Sequence, residues 1–127
     1  MEQSEYTYVV SSLKNSKAVI ENAKNMILSV LEVYKSAADI LNRSLADEIS
    51  SRFNVDCRFE ACIDRDTIVP ELKMYVIAKE AYEDINEAYD KETKLWEALD
   101  EFMVKYYPKL YQLVCMLVMV RWKEDER

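Results

Sequence analysis

The chain has 127 residues, a formal net charge of -7 from 17 basic and 24 acidic residues, and neither glycine nor histidine. Its length suits one domain with a modest core, and the 50% apolar content separates it from disordered chains. The two missing residues exclude Gly-rich phosphate loops of the Walker and dinucleotide types, His-ligated zinc and nucleophiles activated by histidine. The acidic balance argues against generic binding to nucleic acid or to anionic membranes.

The N-terminus, MEQSEYTYVVSS, has no basic flank followed by an apolar run and does not read as a signal peptide. Cys57, Cys62 and Cys115 are an odd set for a disulfide framework, and Cys57 and Cys62 lack zinc-knuckle spacing. Reduced thiols and a cytoplasmic location are expected.

From about residue 5 to 52 the chain carries a heptad-like stripe. Tyr6, Leu13, Ile20, Ile27, Tyr34 and Leu41 hold one seam position; Val10, Leu31, Ala38 and Leu45 hold its companion, which Lys17 and Lys24 interrupt. Such spacing predicts a helix packed along its length, in the manner of a bundle or coiled coil. A single helix of some 47 residues would reach about 70 Å, more than a compact monomer of this size covers. Either it breaks once, with Ser11, Ser12, Asn15 and Ser16 the expected place and Ser16 an N-cap, or it packs against a second chain.

Residues 53–63 change period. Phe53, Val55, Cys57, Phe59, Ala61 and Ile63 alternate with polar positions and Cys62, the pattern of a half-buried strand. With no second strand candidate in the chain, an irregular connector is the first expectation. An extended arm pairing with another chain and a continued helix are the alternatives.

Asp66 or Thr67 can cap a second long helix, with Pro70 in its first turn. Its stripe runs through Tyr75, Ala78, Tyr82, Ile85, Tyr89, Trp96, Leu99, Met103 and Tyr106 to about residue 106. The tyrosines and Trp96 are expected in a bundle core rather than as a stacking platform, because their neighbours are mostly acidic. Pro108 ends this helix and opens a last one to about residue 123, whose run from Leu113 to Val120 is too short to span a bilayer. The polar tail from Lys123 to Arg127 is expected to fray.

The acidic charge is concentrated between residues 67 and 107, where ten acids face five bases. Glu80, Glu83, Glu87 and Asp90 are predicted to form one helix face that docks a basic partner protein. An all-carboxylate metal site lacks the Glu-x-x-His ligands of di-iron bundles, so no metal or cofactor is expected. The one Ser-x-x-Lys spacing, Ser11 to Lys14, falls in the heptad stripe with no further motif beside it, so no nucleophile with a base is expected.

The expected architecture is therefore a single all-α domain, residues 1–127, of three to five helices, two of them long. It is expected to be a homodimer or higher oligomer, joined through Leu113, Met116, Leu117 and Val120. The expected role is a non-enzymatic acidic interaction module: a regulatory subunit, an inhibitor or an assembly protein. The alternative is a nucleic-acid-associated subunit using Lys14, Lys17, Lys24 and Lys35. A carboxylate-metal enzyme stands third.

Overall fold

The computed structural model describes the chain from residue 2 to residue 123, with side chains from Asn15 onward. The elements run α1 (Glu2–Asn42), α2 (Leu45–Phe53), β1 (Val55–Ile63), β2 (Pro70–Tyr82), α3 (Ile85–Tyr106), α4 (Pro108–Leu113) and β3 (Val114–Trp122). The all-α expectation is overturned: the protein is mixed α/β, 61% helical with 28% in a three-stranded sheet. Neither a helical bundle nor a coiled coil describes it.

The sheet order is β1-β2-β3. β1 and β2 form an antiparallel hairpin in which Val55 faces Ala78 and Ile63 faces Pro70. β2 and β3 are parallel, with Leu72 opposite Val114 and Val76 opposite Val118. A parallel pair needs a long crossover, and α3 with α4 supplies it. One face of the sheet is the core. Val55 and Phe59 of β1, Leu72, Met74, Val76 and Ala78 of β2, and Val118 of β3 all point into it. Ala38 of α1, Leu45, Ala46 and Ile49 of α2, and Leu95, Leu99, Phe102 and Met103 of α3 close over them.

The opposite face meets solvent. Its exposed positions carry their own cover: the Arg58 guanidinium lies 4.7 Å over the Tyr75 ring, and Arg121 of β3 reaches Asp56 of β1 at 3.0 Å.

The expected second helix was misread over its first third. Leu72, Met74, Val76 and Ala78 alternate as a strand, while Tyr75, Ala78 and Tyr82 mimic helical spacing; the fuller apolar set wins because the sheet buries it. Pro70 begins the strand, a position where its missing donor costs little. Asp84 then caps α3, its carboxylate accepting from the Asn86 N–H at 2.9 Å, with Glu87 placed as in a capping box. The expected last helix stops at Leu113, and its Val-rich run continues as β3.

The first long stripe breaks, but after Asn42, not among Ser11–Ser16. The helix is continuous there, so Ser16 is no N-cap. At the true break the Arg43 N–H donates to Ile40 O at 3.1 Å and the Ser44 N–H to Leu41 O at 3.3 Å, tightening the last turn before α2 departs. The 53–63 alternation is a real strand, and its partner is β2 of the same chain rather than another molecule.

Two positions do the work that glycine usually does. Asn54 ends α2 with φ 54°, its N–H on Ser50 O, and asparagine tolerates that region. Ile68 adopts φ 55° in the hairpin loop, a costly conformation for a β-branched residue. The loop is held by Asp64, whose carboxylate accepts from the N–H groups of Asp66 at 2.7 Å and Thr67 at 3.2 Å. These bonds lower the Asp64 pKa.

Candidate functional site

Three surfaces collect the features that could carry function. The first is α1. Its 41 residues hold two adjacent apolar rows: Val19, Met26, Val30 and Val33, and beside them Ile20, Ile27, Leu31, Tyr34, Ala38 and Leu41. The rows advance by three, four or seven residues and stay on one side of the helix. Only the last turns are used by the core, which takes Ala38 with Tyr34 and Leu41 and, among the described residues, nothing earlier. Val19 and Ile20 are each 65% exposed and Met26 is 69% exposed. An apolar stripe exposed in this way makes α1 a candidate interaction surface.

The lysines of α1 do not make a basic groove. Lys17, Lys24 and Lys35 are exposed, but Glu21 and Glu32 intervene, and Lys35 pairs with Glu32 at 3.4 Å. The Lys14 side chain, like those of Tyr6, Val10 and Leu13, lies outside the described residues, as do residues 124–127 of the tail.

The second surface surrounds the β2–α3 turn. The four carboxylates expected on one helix face fall on three elements: Glu80 on β2, Glu83 in the turn, Glu87 and Asp90 on α3. Three are engaged within the chain. Glu80 accepts from the Tyr82 hydroxyl at 2.8 Å, Glu83 meets Lys123 at 3.6 Å and Asp90 meets Lys94 at 2.9 Å. Tyr82 is pushed up to about 12 by burial first, then by the bond to Glu80 and the charges of Glu80 and Glu87. Two of these charges, Glu83 and Asp90, are offset by lysines of the same chain, while Glu80 and Glu87 keep theirs. Among the described residues no group of three or more acidic or cysteine side chains is gathered to hold a metal ion.

The third surface was not anticipated. A cleft of about 300 Å³ opens between α3 and β3, lined by Tyr89, Glu92, Trp122 and the consecutive strand residues Val118, Met119 and Val120. It adjoins a second hollow that shares Tyr89 and Glu92 and adds Trp96 and Glu97. Tyr89 is 63% and Trp96 44% exposed, so the aromatic stripe expected in a bundle core stands half in solvent. The sequence signal was present: Tyr89, Trp96 and Glu92 share one flank of α3. What was missing was β3 beside them.

The expected oligomer patch dissolves as a helix face. Met116 and Val120 pack on the core, Leu117 sits on the outer side of the sheet, and Leu113 is exposed at the end of α4.

The thiols are unremarkable as chemistry. Burial pushes Cys57 up to about 12, which makes it a poor nucleophile. Cys62 and Cys115 flank Lys73 on the outer face; Cys62, then Tyr75, are the main causes that raise the Lys73 pKa. Among the described residues no helix is long and apolar enough to cross a membrane.

No protein-family model matches the chain, and no curated protein or solved structure is significantly similar to it.

Proposed function

We propose that the chain is a non-enzymatic protein–protein interaction module that associates with its own copy through α1. The observation that carries this reading is the set of exposed apolar side chains Val19, Ile20, Met26, Val30 and Val33, with half-buried Ile27 and Leu31 beside them, on a helix whose continuation is buried in the core. The stripe is one pattern, and only its lower part has a partner. Burying the upper part removes several large side chains from water, each worth roughly 1.5–3 kcal/mol. The charges beside it favour a second copy over a strongly charged partner: Lys17, Lys24 and Lys35 alternate with Glu21 and Glu32, so two such helices can lie together with both signs in reach.

Sedimentation or light scattering of the full chain over a range of concentrations tests the reading. A dimer or larger species is expected, and Ile20→Glu with Ile27→Glu should yield a monomer that keeps the near-UV circular dichroism of the core. A wild-type chain that stays monomeric at every concentration overturns the reading. Salt-dependent binding to RNA or DNA that vanishes when Lys17, Lys24 and Lys35 become glutamate would replace it with the nucleic-acid alternative.

A further inference from the structure

We propose that the cleft between α3 and the free edge of β3 receives an extended, basic segment of a partner protein, which joins the sheet as an added strand. The inference deepens the reading of the chain as an interaction module, but it does not depend on self-association through α1.

The two edges of the sheet differ. At the β1 edge the Asn42 side chain caps the backbone of Phe59, donating to its carbonyl at 2.9 Å and accepting from its N–H at 2.7 Å. At the other edge β3 pairs with β2 alone, so its second row of peptide groups has no strand partner among the described residues. Natural sheets blunt such edges with lysine, proline, bulges or a covering loop. β3 has nine residues, VCMLVMVRW, with a single charge near its end and no proline, and the irregularity in its pairing with β2, between Ile77 and Ala81, places the extra residues on β2 and not on the open edge.

The cleft reaches that edge. Successive residues of a strand point to opposite faces. A hollow lined by Val118, Met119 and Val120 in a row therefore runs along the strand's side, the side on which β3 has no strand partner among the described residues. Strand addition supplies affinity through these groups, and pockets along the groove supply specificity.

The walls define the chemistry of the occupant. Tyr89, Trp96 and Trp122 offer aromatic faces, and Glu92 and Glu97 offer carboxylates. Among the described residues, neither carboxylate has an ion pair or hydrogen bond, and no lysine or arginine lines either hollow. Aromatic faces beside unpaired carboxylates attract lysine and arginine side chains. A second copy is a worse occupant: it would bring another β3 flanked by the same carboxylates, on a chain whose net charge is already -7.

The probe is an end-blocked octapeptide of alternating lysine and valine, titrated into the wild-type chain and into the Ile20→Glu, Ile27→Glu variant. The two tryptophans of the chain, Trp96 and Trp122, both line the hollows, so emission reports directly on the site. A saturable change is expected in both proteins. Glu92→Gln with Glu97→Gln should weaken it by about tenfold or more. Methylating alternate peptide nitrogens, which keeps the charge but removes ladder donors, should abolish it.

Saturable binding together with a monomeric wild type would retain the cleft and discard the α1 reading; the converse would do the opposite. No saturable change, equal binding of a glutamate–valine octapeptide, or undiminished binding of the methylated peptide overturns the proposal. So does peptide-free emission that shifts with protein concentration, which would place a second copy in the cleft.

Discussion

Asn42 closes its side-chain amide on the backbone of Phe59, 17 residues away, with one bond in each direction. The pair fixes where α1 ends relative to β1, and it occupies peptide groups that an edge strand would otherwise leave open. Asn42→Ala should destabilise the fold by about 1–3 kcal/mol, because a part-buried N–H and carbonyl lose their partners together. Urea unfolding followed by far-UV circular dichroism measures this. A loss below a few tenths would mean that water replaces the amide without cost.

Ile68 should respond in the opposite direction. It holds φ 55° while exposing its side chain, so it gains little from packing. Ile68→Gly relieves the backbone and should stabilise the protein by about 1 kcal/mol, although glycine's freedom in the unfolded chain offsets part of the gain. An upward shift of the thermal midpoint is the expected result.

The core beneath α3 is the least forgiving region. Leu99 and Met103 are fully buried, and Leu99→Ala should cost about 2–5 kcal/mol through lost transfer energy and the cavity left behind. The same denaturation assay reads it, and an exposed control such as Val104→Ala should change little.

Stability should fall at both ends of the pH scale. Cys57 is raised from 9.0 to about 12 in the fold by burial. The unfolded chain therefore releases this proton first, and stability declines as pH rises from about 9 towards 12. Cys57→Ala should flatten that decline; an unchanged alkaline slope would assign it to other groups, Tyr82 among them. Asp64 is lowered by the N–H groups of Asp66 and Thr67, so its contribution is present above pH 3.8 and is lost as pH falls through its folded value. Asp64→Asn should reduce the acid slope of the urea midpoint.

Local pattern and long-range pairing were unequally visible in the sequence. The alternation at Val55–Ile63 had the period of a strand, but with its partner hidden the first expectation was an irregular connector, which β1 overturns. Leu72, Met74, Val76 and Ala78 alternate within a segment that also spaces Tyr75, Ala78 and Tyr82 like a helix. Without glycine or proline at residues 83 and 84, no breaker marked the change of period; the weaker signal was Asp84 followed three residues later by Glu87. The apolar run from Leu113 to Val120 was ambiguous for a different reason. A strand beside a covered sheet and a helix buried on all sides both lack periodicity, and valine at 114, 118 and 120 was the better guide. The α1 seam was legible as spacing, yet nothing in it foretold that only its last turns, from Tyr34, would dock on a sheet. Of the α3–β3 cleft only the α3 flank was legible, because the cleft itself exists only once β3 lies next to α3.

The division of α1 into a docked end and an exposed length makes it a measuring rod. At 1.5 Å per residue, the turns of α1 before Tyr34 are about 50 Å long. Because only Tyr34, Ala38 and Leu41 belong to the core cluster, removing or adding seven residues upstream would change that length by about 10 Å while leaving each remaining side chain on nearly its former face. The length of α1 upstream of Tyr34 is thus set independently of the residues that fold the domain.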